Sequence, residues 1–235
     1  MARGKSIAIL QSSYIPWKGY FDMMNRVDEF ILYDDVEYSH GTWRNRNRIK
    51  TPDGLQWLTI PVRTRGRSHW RIEEIQVSSG DWARKHWKTL VQNYQKAPFF
   101  EAYREPFEAL YSGCRETLLS RINRLFLDAV REILGIETPL RWSSEFRTRG
   151  EASERLVQIC RQAGASAYVS GPAAKAYLDA SLFEREGIEL IWMDYSGYPE
   201  YPQLYGPFEH QVSIVDLIFH TGDQAGHYMK SFGHW

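Results

Sequence analysis

The first thirty-odd residues constrain the fold more than anything later in the chain. Ser6–Leu10 is a short apolar run, a loop follows through Pro16, Gly19–Arg26 carries helical spacing, and Glu29–Tyr33 is a second apolar run. Strand, loop, helix and strand in that order make a βαβ unit, with the two strands parallel and a right-handed crossover expected. The pattern returns late in the chain. Strands are expected at Leu140–Phe146, Ala167–Ser170 and Glu189–Met193, with helices at Glu151–Ala163, stopped by Gly164, and at Ala173–Glu184. Between the halves, Gln56–Val62 reads as a third strand after the Pro52-Asp53-Gly54 turn, and Arg63–Arg71 as a basic surface loop. Asp81 caps a helix through about Lys96. Phe99–Gly135 supplies one or two more, with Pro106 near a helix start and Gly135 as a stop. A last helix is expected at Val212–Phe219. The expected fold is α/β, a mainly parallel sheet of βαβ units in a single domain over residues 1–235, with 81–135 as a mainly helical insertion.

Open sheets of this kind collect ligands beyond the carboxyl ends of their strands, so the segments leaving the strands are the first place to look for chemistry. After the second strand comes Tyr33-Asp34-Asp35-Val36, then Trp43-Arg44-Asn45-Arg46-Asn47-Arg48-Ile49. Paired acids suit a proton in transit or a metal, and arginine forks suit phosphate or carboxylate. Adjacent strand residues point oppositely, so one of Asp34 and Asp35 is expected to face a pocket. If Trp43–Ile49 is extended, Arg44, Arg46 and Arg48 share one face, with Asn45 and Asn47 on the other. His40 lies in the same run and is the one histidine with a candidate general-base role; His69, His86, His227 and His234 show no metal spacing. No metal ligand set is assigned, and magnesium and a nucleotide stand as open cofactor options.

Two further segments leave strands. Gln11–Tyr20 connects the first strand to its helix, and Gly19 there permits close backbone approach to an anion. Ser170-Gly171 opens another such loop, with Lys175 one turn on and Tyr177 beyond it; a helix with Pro172 at its first position explains the same residues. Near the end, Tyr195, Tyr198, Tyr201, Gln203 and Tyr205 form an aromatic-polar stretch suited to stacking on a ring. Ser213-x-x-Asp216 then reads as a helix cap.

Composition narrows the partners. Lysine plus arginine equals aspartate plus glutamate, 29 each, which argues against a general nucleic-acid surface and leaves a small-molecule substrate as the expected partner. Cys114 and Cys160 give no disulfide framework, and each lies in an apparent helix as a buried thiol. No stretch is long and apolar enough to span a bilayer, and the amino terminus lacks a cleavable leader, so a cytoplasmic protein is expected.

With these residues laid out, the chain resembles the WbqC-like family of bacterial proteins. The matching features are Gln11, Pro16, Gly19-Tyr20, Tyr33-Asp34-Asp35-Val36, Trp43 through Ile49, Ser170-Gly171, Tyr177, Tyr201-x-Gln203, Phe208 and Ser213-x-x-Asp216-Leu217. The resemblance implies a place in surface-polysaccharide (O-antigen) gene neighbourhoods and a transferase, moving an activated aminoacyl group, glycyl included, or an acyl group to an amino sugar or similar acceptor. In that reading Arg44, Arg46 and Arg48 hold phosphate or carboxylate, Asp34 or Asp35 deprotonates the acceptor or holds magnesium, and Tyr177, Tyr201 and Gln203 place the acceptor. The rival readings are a non-catalytic binder of a nucleotide or nucleotide sugar, and nucleotidyl transfer. Two positions depart from the family pattern: Tyr198 where a histidine is expected, and His220 where an asparagine is expected. The first βα unit also resembles that of Rossmann-like nucleotidyltransferases, but Trp17-Lys18-Gly19-Tyr20 keeps only the glycine of their His-x-Gly-His.

Overall fold

A computed structural model describes residues 4–64 and 69–233. The residues 65–68 within the expected basic loop, and His234, lie outside the described part. β1 (Ser6–Leu10), α1 (Lys18–Arg26) and β2 (Glu29–Leu32) form the expected βαβ unit, with β1 and β2 parallel and Ile7 opposite Glu29. β1 and β2 are buried along almost their whole length, because both faces of the sheet are covered. Ala8, Phe30 and Leu32 join one apolar cluster with side chains of α1–α4 and α7. Ile7, Ile9 and Ile31 join a second cluster on the opposite face, with Leu156, Ile159, Cys160 and Phe183.

The sheet has five strands in the order β5-β2-β1-β6-β7, every neighbouring pair parallel. β5 is Leu140–Trp142, β6 Ala167–Ser170 and β7 Glu189–Trp192. The chain therefore builds outward from β1 through β2 to β5, then returns to β6 on the other side of β1. That reversal leaves a crevice beyond the carboxyl ends of β1 and β6, where doubly wound sheets bind ligands.

The expected third strand exists but does not join this sheet. β3 (Arg46–Thr51) and β4 (Gly54–Thr59) form a separate antiparallel hairpin across the Pro52-Asp53 turn, with Arg48 opposite Trp57. α2 (Trp82–Tyr94), α3 (Phe100–Gly113) and α4 (Leu119–Ile133) follow. Pro106 sits inside α3 and not near a helix start. Cys114 lies just past α3 and is half-buried, whereas Cys160 is inside α5 (Ala152–Gln162), where burial pushes its thiol up to about 12. The expected helix at Ala173–Glu184 is two pieces, a 3-10 segment Pro172–Ala176 and α6 (Ala180–Arg185). Asp179 breaks the run by accepting from the Ser181 amide at 3.0 Å as an N-cap. α7 (Ile214–Thr221) is the last α-helix. Among the described residues no helix is long and apolar enough to cross a membrane.

Candidate functional site

The β1–α1 loop is held in a strained shape. Ile15 is fully buried with φ +36°, a conformation that a β-branched side chain strongly disfavours. Its carbonyl accepts from Asn47 Nδ2 at 2.9 Å and from Ser213 Oγ at 2.8 Å, while the Tyr14 amide donates to the Trp43 carbonyl at 3.1 Å. Hairpin and α7 together impose what the loop sequence alone would not adopt. The loop, the hairpin entry and the segment after β7 enclose a cavity of about 590 Å³ beyond β1. Its wall is aromatic, with Trp17 edge-on to Tyr195 and Tyr198 at 5.1 and 6.0 Å between ring centres. Tyr20, Trp43, Arg44 and His210 complete the lining that matters here.

Arg44 is the charged group of this cavity. It precedes β3 in a turn, so its side chain parts from those of Arg46 and Arg48, and the three arginines do not form one face. Its guanidinium donates to Gln11 Oε1 and, at 3.0 Å, to Ser13 Oγ. Burial lowers its pKa, and the fields of Tyr20 and Asp34 oppose that shift. Asp34 is 1% exposed and lies near Arg44 without lining the cavity itself. Its Oδ1 accepts from the Ser12 amide at 2.8 Å, and Oδ2 is buried with no hydrogen-bond partner in the protein. Desolvation raises its pKa to about 6, against the lowering pull of the Ser12 hydrogen bond and of Arg44. Asp35 points the other way, as adjacent residues leaving a strand should. It pairs with Arg155 and accepts from Ser143 Oγ.

Several expected contacts are absorbed by the fold. Asn47 clamps the strained loop while touching the cavity edge, and Asn45 Nδ2 donates to the Ile60 carbonyl at 2.9 Å to close the hairpin base. Arg46 donates to the Gly41 carbonyl and stacks 4.2 Å from the Trp57 ring centre; Arg48 reaches Gln211 at 2.9 Å on the rim. His40 is exposed, lies against the Tyr38 ring, and is not among the side chains that line the cavity. Ser170 is buried at the end of β6, Gly171 precedes the 3-10 turn, Lys175 lies over Trp192, and Tyr177 is 70% exposed; none of the four lines the cavity. Tyr201 and Gln203 lie behind the wall, both hydrogen-bonded to Asp216. His86 is buried between Tyr14 and the Thr59 carbonyl, and desolvation lowers its pKa to about 4.

Gly19 makes room for the wall. A Cβ there would stand 2.3 Å from the Trp17 ring, which lies across the start of α1. Gly19→Ala is therefore expected to displace Trp17 and destabilise by about 1–3 kcal/mol, with a drop in tryptophan emission change on ligand addition; an unchanged urea midpoint would refute it. Lys18, next to it, is buried among aromatic rings, 5.0 Å from the Tyr198 ring centre, and desolvation lowers its pKa to about 8. The sequence offered no periodic signal for Trp17, Asn123 or His210. Asn123 is reached from α4, where its Nδ2 holds Ser12 Oγ and the Arg44 carbonyl, each at 2.9 Å. Among the described residues no three His, Cys, Asp or Glu side chains converge as a metal ligand set.

Sheet order and cavity together define a doubly wound α/β protein with its pocket at the strand-order reversal and one half-buried arginine in an aromatic wall. The chain belongs to the WbqC-like protein family, whose model matches residues 11–228. It is similar to the uncharacterized protein Rv1507c of Mycobacterium tuberculosis, with 46% identity over 226 residues that cover 96% of this chain and 98% of that one. No solved structure matches it.

Proposed function

We propose that the chain is a transferase that moves an activated aminoacyl or acyl group to the amine of an amino sugar or similar small acceptor. The observation that carries this is Arg44, half-buried at the wall of an aromatic cavity and backed by Gln11 and Ser13. An oriented guanidinium in a desolvated site matches a carboxylate, a phosphate or the oxyanion of acyl transfer, and Tyr195, Tyr198 and Trp17 suit the faces of a sugar or base ring. The acceptor nitrogen attacks the acyl carbon, the new N–C bond forms, and the bond from that carbon to the donor's leaving oxygen breaks. Asp34 does not line the cavity itself but lies near Arg44, and it takes the proton released from nitrogen through an intervening solvent molecule, since its pKa near 6 leaves it ionised at neutral pH and its Oδ2 has no protein partner. The family resemblance is what suggests surface-polysaccharide or related biosynthesis as the setting for this small acceptor. Asp35, committed to Arg155 and Ser143, has no part in the reaction.

The test is incubation with pools of aminoacyl donors and amino sugars, with products read by mass spectrometry. Arg44→Ala is expected to weaken donor binding about tenfold or more while leaving the far-ultraviolet spectrum unchanged. Tight binding of a nucleotide sugar with no transfer to any acceptor would make the protein a binder and sink the transferase reading. Pyrophosphate release from a nucleoside triphosphate would replace it with nucleotidyl transfer.

A further inference from the structure

A second cavity opens at the same end of the sheet, on the other side of the β2 exit. Its volume is about 670 Å³, and Asp35, Arg71, Arg147, Arg149 and Arg155 line it. Four guanidinium groups against Asp35, and Glu73 beside Arg71, leave two positive charges in excess there, in a chain whose formal total is zero. No residue lines both cavities.

Two of these arginines are committed. Arg155 pairs with Asp35 and donates from Nε to Thr148 Oγ1 at 3.1 Å, and Arg71 stands 3.6 Å from Glu73. Arg147 and Arg149 have no acidic partner among the described residues. Their backbone is nevertheless fixed. Gln162 accepts from the Arg147 amide at 3.0 Å and donates to its carbonyl at 2.9 Å, and Gln158, one turn earlier on α5, does the same for Arg149 at 3.0 and 2.8 Å. Two glutamines four residues apart thus take the place of a neighbouring strand. They hold two free guanidiniums at the edge of a cavity that already contains a third.

Unneutralised like charges held together raise one another's free energy, and a multiply charged oxyanion removes that penalty while matching the arginine forks. The glutamine clasps fix the geometry before any ligand arrives, which reduces the ordering cost of binding. We infer that this cavity binds the phosphate or diphosphate group of a small molecule. Arg147 and Arg149 grip it, and Arg155, aligned by Asp35 and Thr148, adds a third guanidinium fork. The balanced charge of the whole chain favours a small ligand over a nucleic-acid backbone. The inference does not depend on the chemistry proposed for the aromatic cavity.

The test is calorimetric titration of pyrophosphate at low salt into the full chain, the Arg147→Ala/Arg149→Ala double variant and Arg44→Ala. Both altered side chains are exposed and the glutamines hold backbone atoms, so the double variant keeps its fold, which a thermal melt checks. One saturable site is expected in the wild type, with affinity about tenfold or more weaker in the double variant and unchanged in Arg44→Ala. No saturable binding, equal binding by the double variant, or loss in Arg44→Ala would each overturn the assignment, the last by moving the anion to the aromatic cavity. Displacement of pyrophosphate by a single-stranded oligonucleotide at lower concentration would overturn the small-ligand assignment in favour of a nucleic-acid surface.

Discussion

Asp216→Ala is expected to destabilise the fold by about 3–5 kcal/mol, a fall in melting temperature of roughly 10 °C for a chain of this length. Asp216 is completely buried on α7. It accepts from Tyr94 Oη at 2.8 Å, Tyr201 Oη at 2.9 Å and Gln203 Nε2 at 2.8 Å. Gln203 in turn accepts from Lys50 Nζ at 3.0 Å and from the Glu209 amide at 2.9 Å. One carboxylate thereby ties the hairpin, α2 and the loop after Pro199 to α7. Alanine leaves two buried hydroxyls and an amide without their acceptor, and a buried lysine without the nearby negative charge that offsets its desolvation. Asp216→Asn keeps one acceptor oxygen and should lose less. Urea unfolding of both variants measures this, and a loss below about 1 kcal/mol in the alanine variant would show the network to be dispensable. The stretch between β7 and α7 carries Tyr198 and His210 to the cavity, so the destabilised variant should also bind ligand more weakly.

Asp216 also shows where sequence reasoning fell short. Ser213-x-x-Asp216 has the spacing of a helix cap, and Ser213 does cap α7, accepting from the Val215 amide at 3.4 Å. Asp216 does not reach back to Ser213; it faces inward to Tyr94, Tyr201 and Gln203. A local pattern names the residues that can cap, but which way a buried acid turns depends on tyrosines 122 and 15 residues away. The same holds for the arginine run. Its alternation was legible, and Arg46 and Arg48 do lie on one strand, but the turn before Arg46 sends Arg44 elsewhere. The parallel sheet was readable because β1 and β2 are apolar runs set by local hydrophobicity. The hairpin's separation from that sheet was not, since strand partners are a long-range choice. Of the paired acids, opposite facing followed from strand geometry alone, yet nothing local told which side held Arg44 and which Arg155.

Asp34 should reveal itself in the pH dependence of stability. Its folded pKa is about 6, raised by burial from the ordinary 3.8 of an aspartate. A raised folded pKa means the native state binds the proton more tightly than the unfolded chain. The contribution is fully present below about 3.8 and is lost as pH rises through about 6. Lowering the pH from 8 to 5 should therefore stabilise the wild type by about 1.4 kcal/mol through this group, and by about 3 kcal/mol at the limit. Asp34→Asn cannot titrate, keeps an acceptor for the Ser12 amide, and should lack this increment. Subtracting its urea-unfolding curve from the wild type's at each pH isolates the effect from every other ionisable group. A flat difference would mean that Asp34 titrates normally, and would remove it as the proton acceptor. If the difference appears, turnover should move with it in the opposite sense, falling as pH drops through about 6 because the stabilised, protonated acid can no longer accept a proton. The fold thus tolerates an ionised, half-satisfied carboxylate at neutral pH against its own stability. That is the pattern expected where a buried acid is kept for chemistry and not for packing.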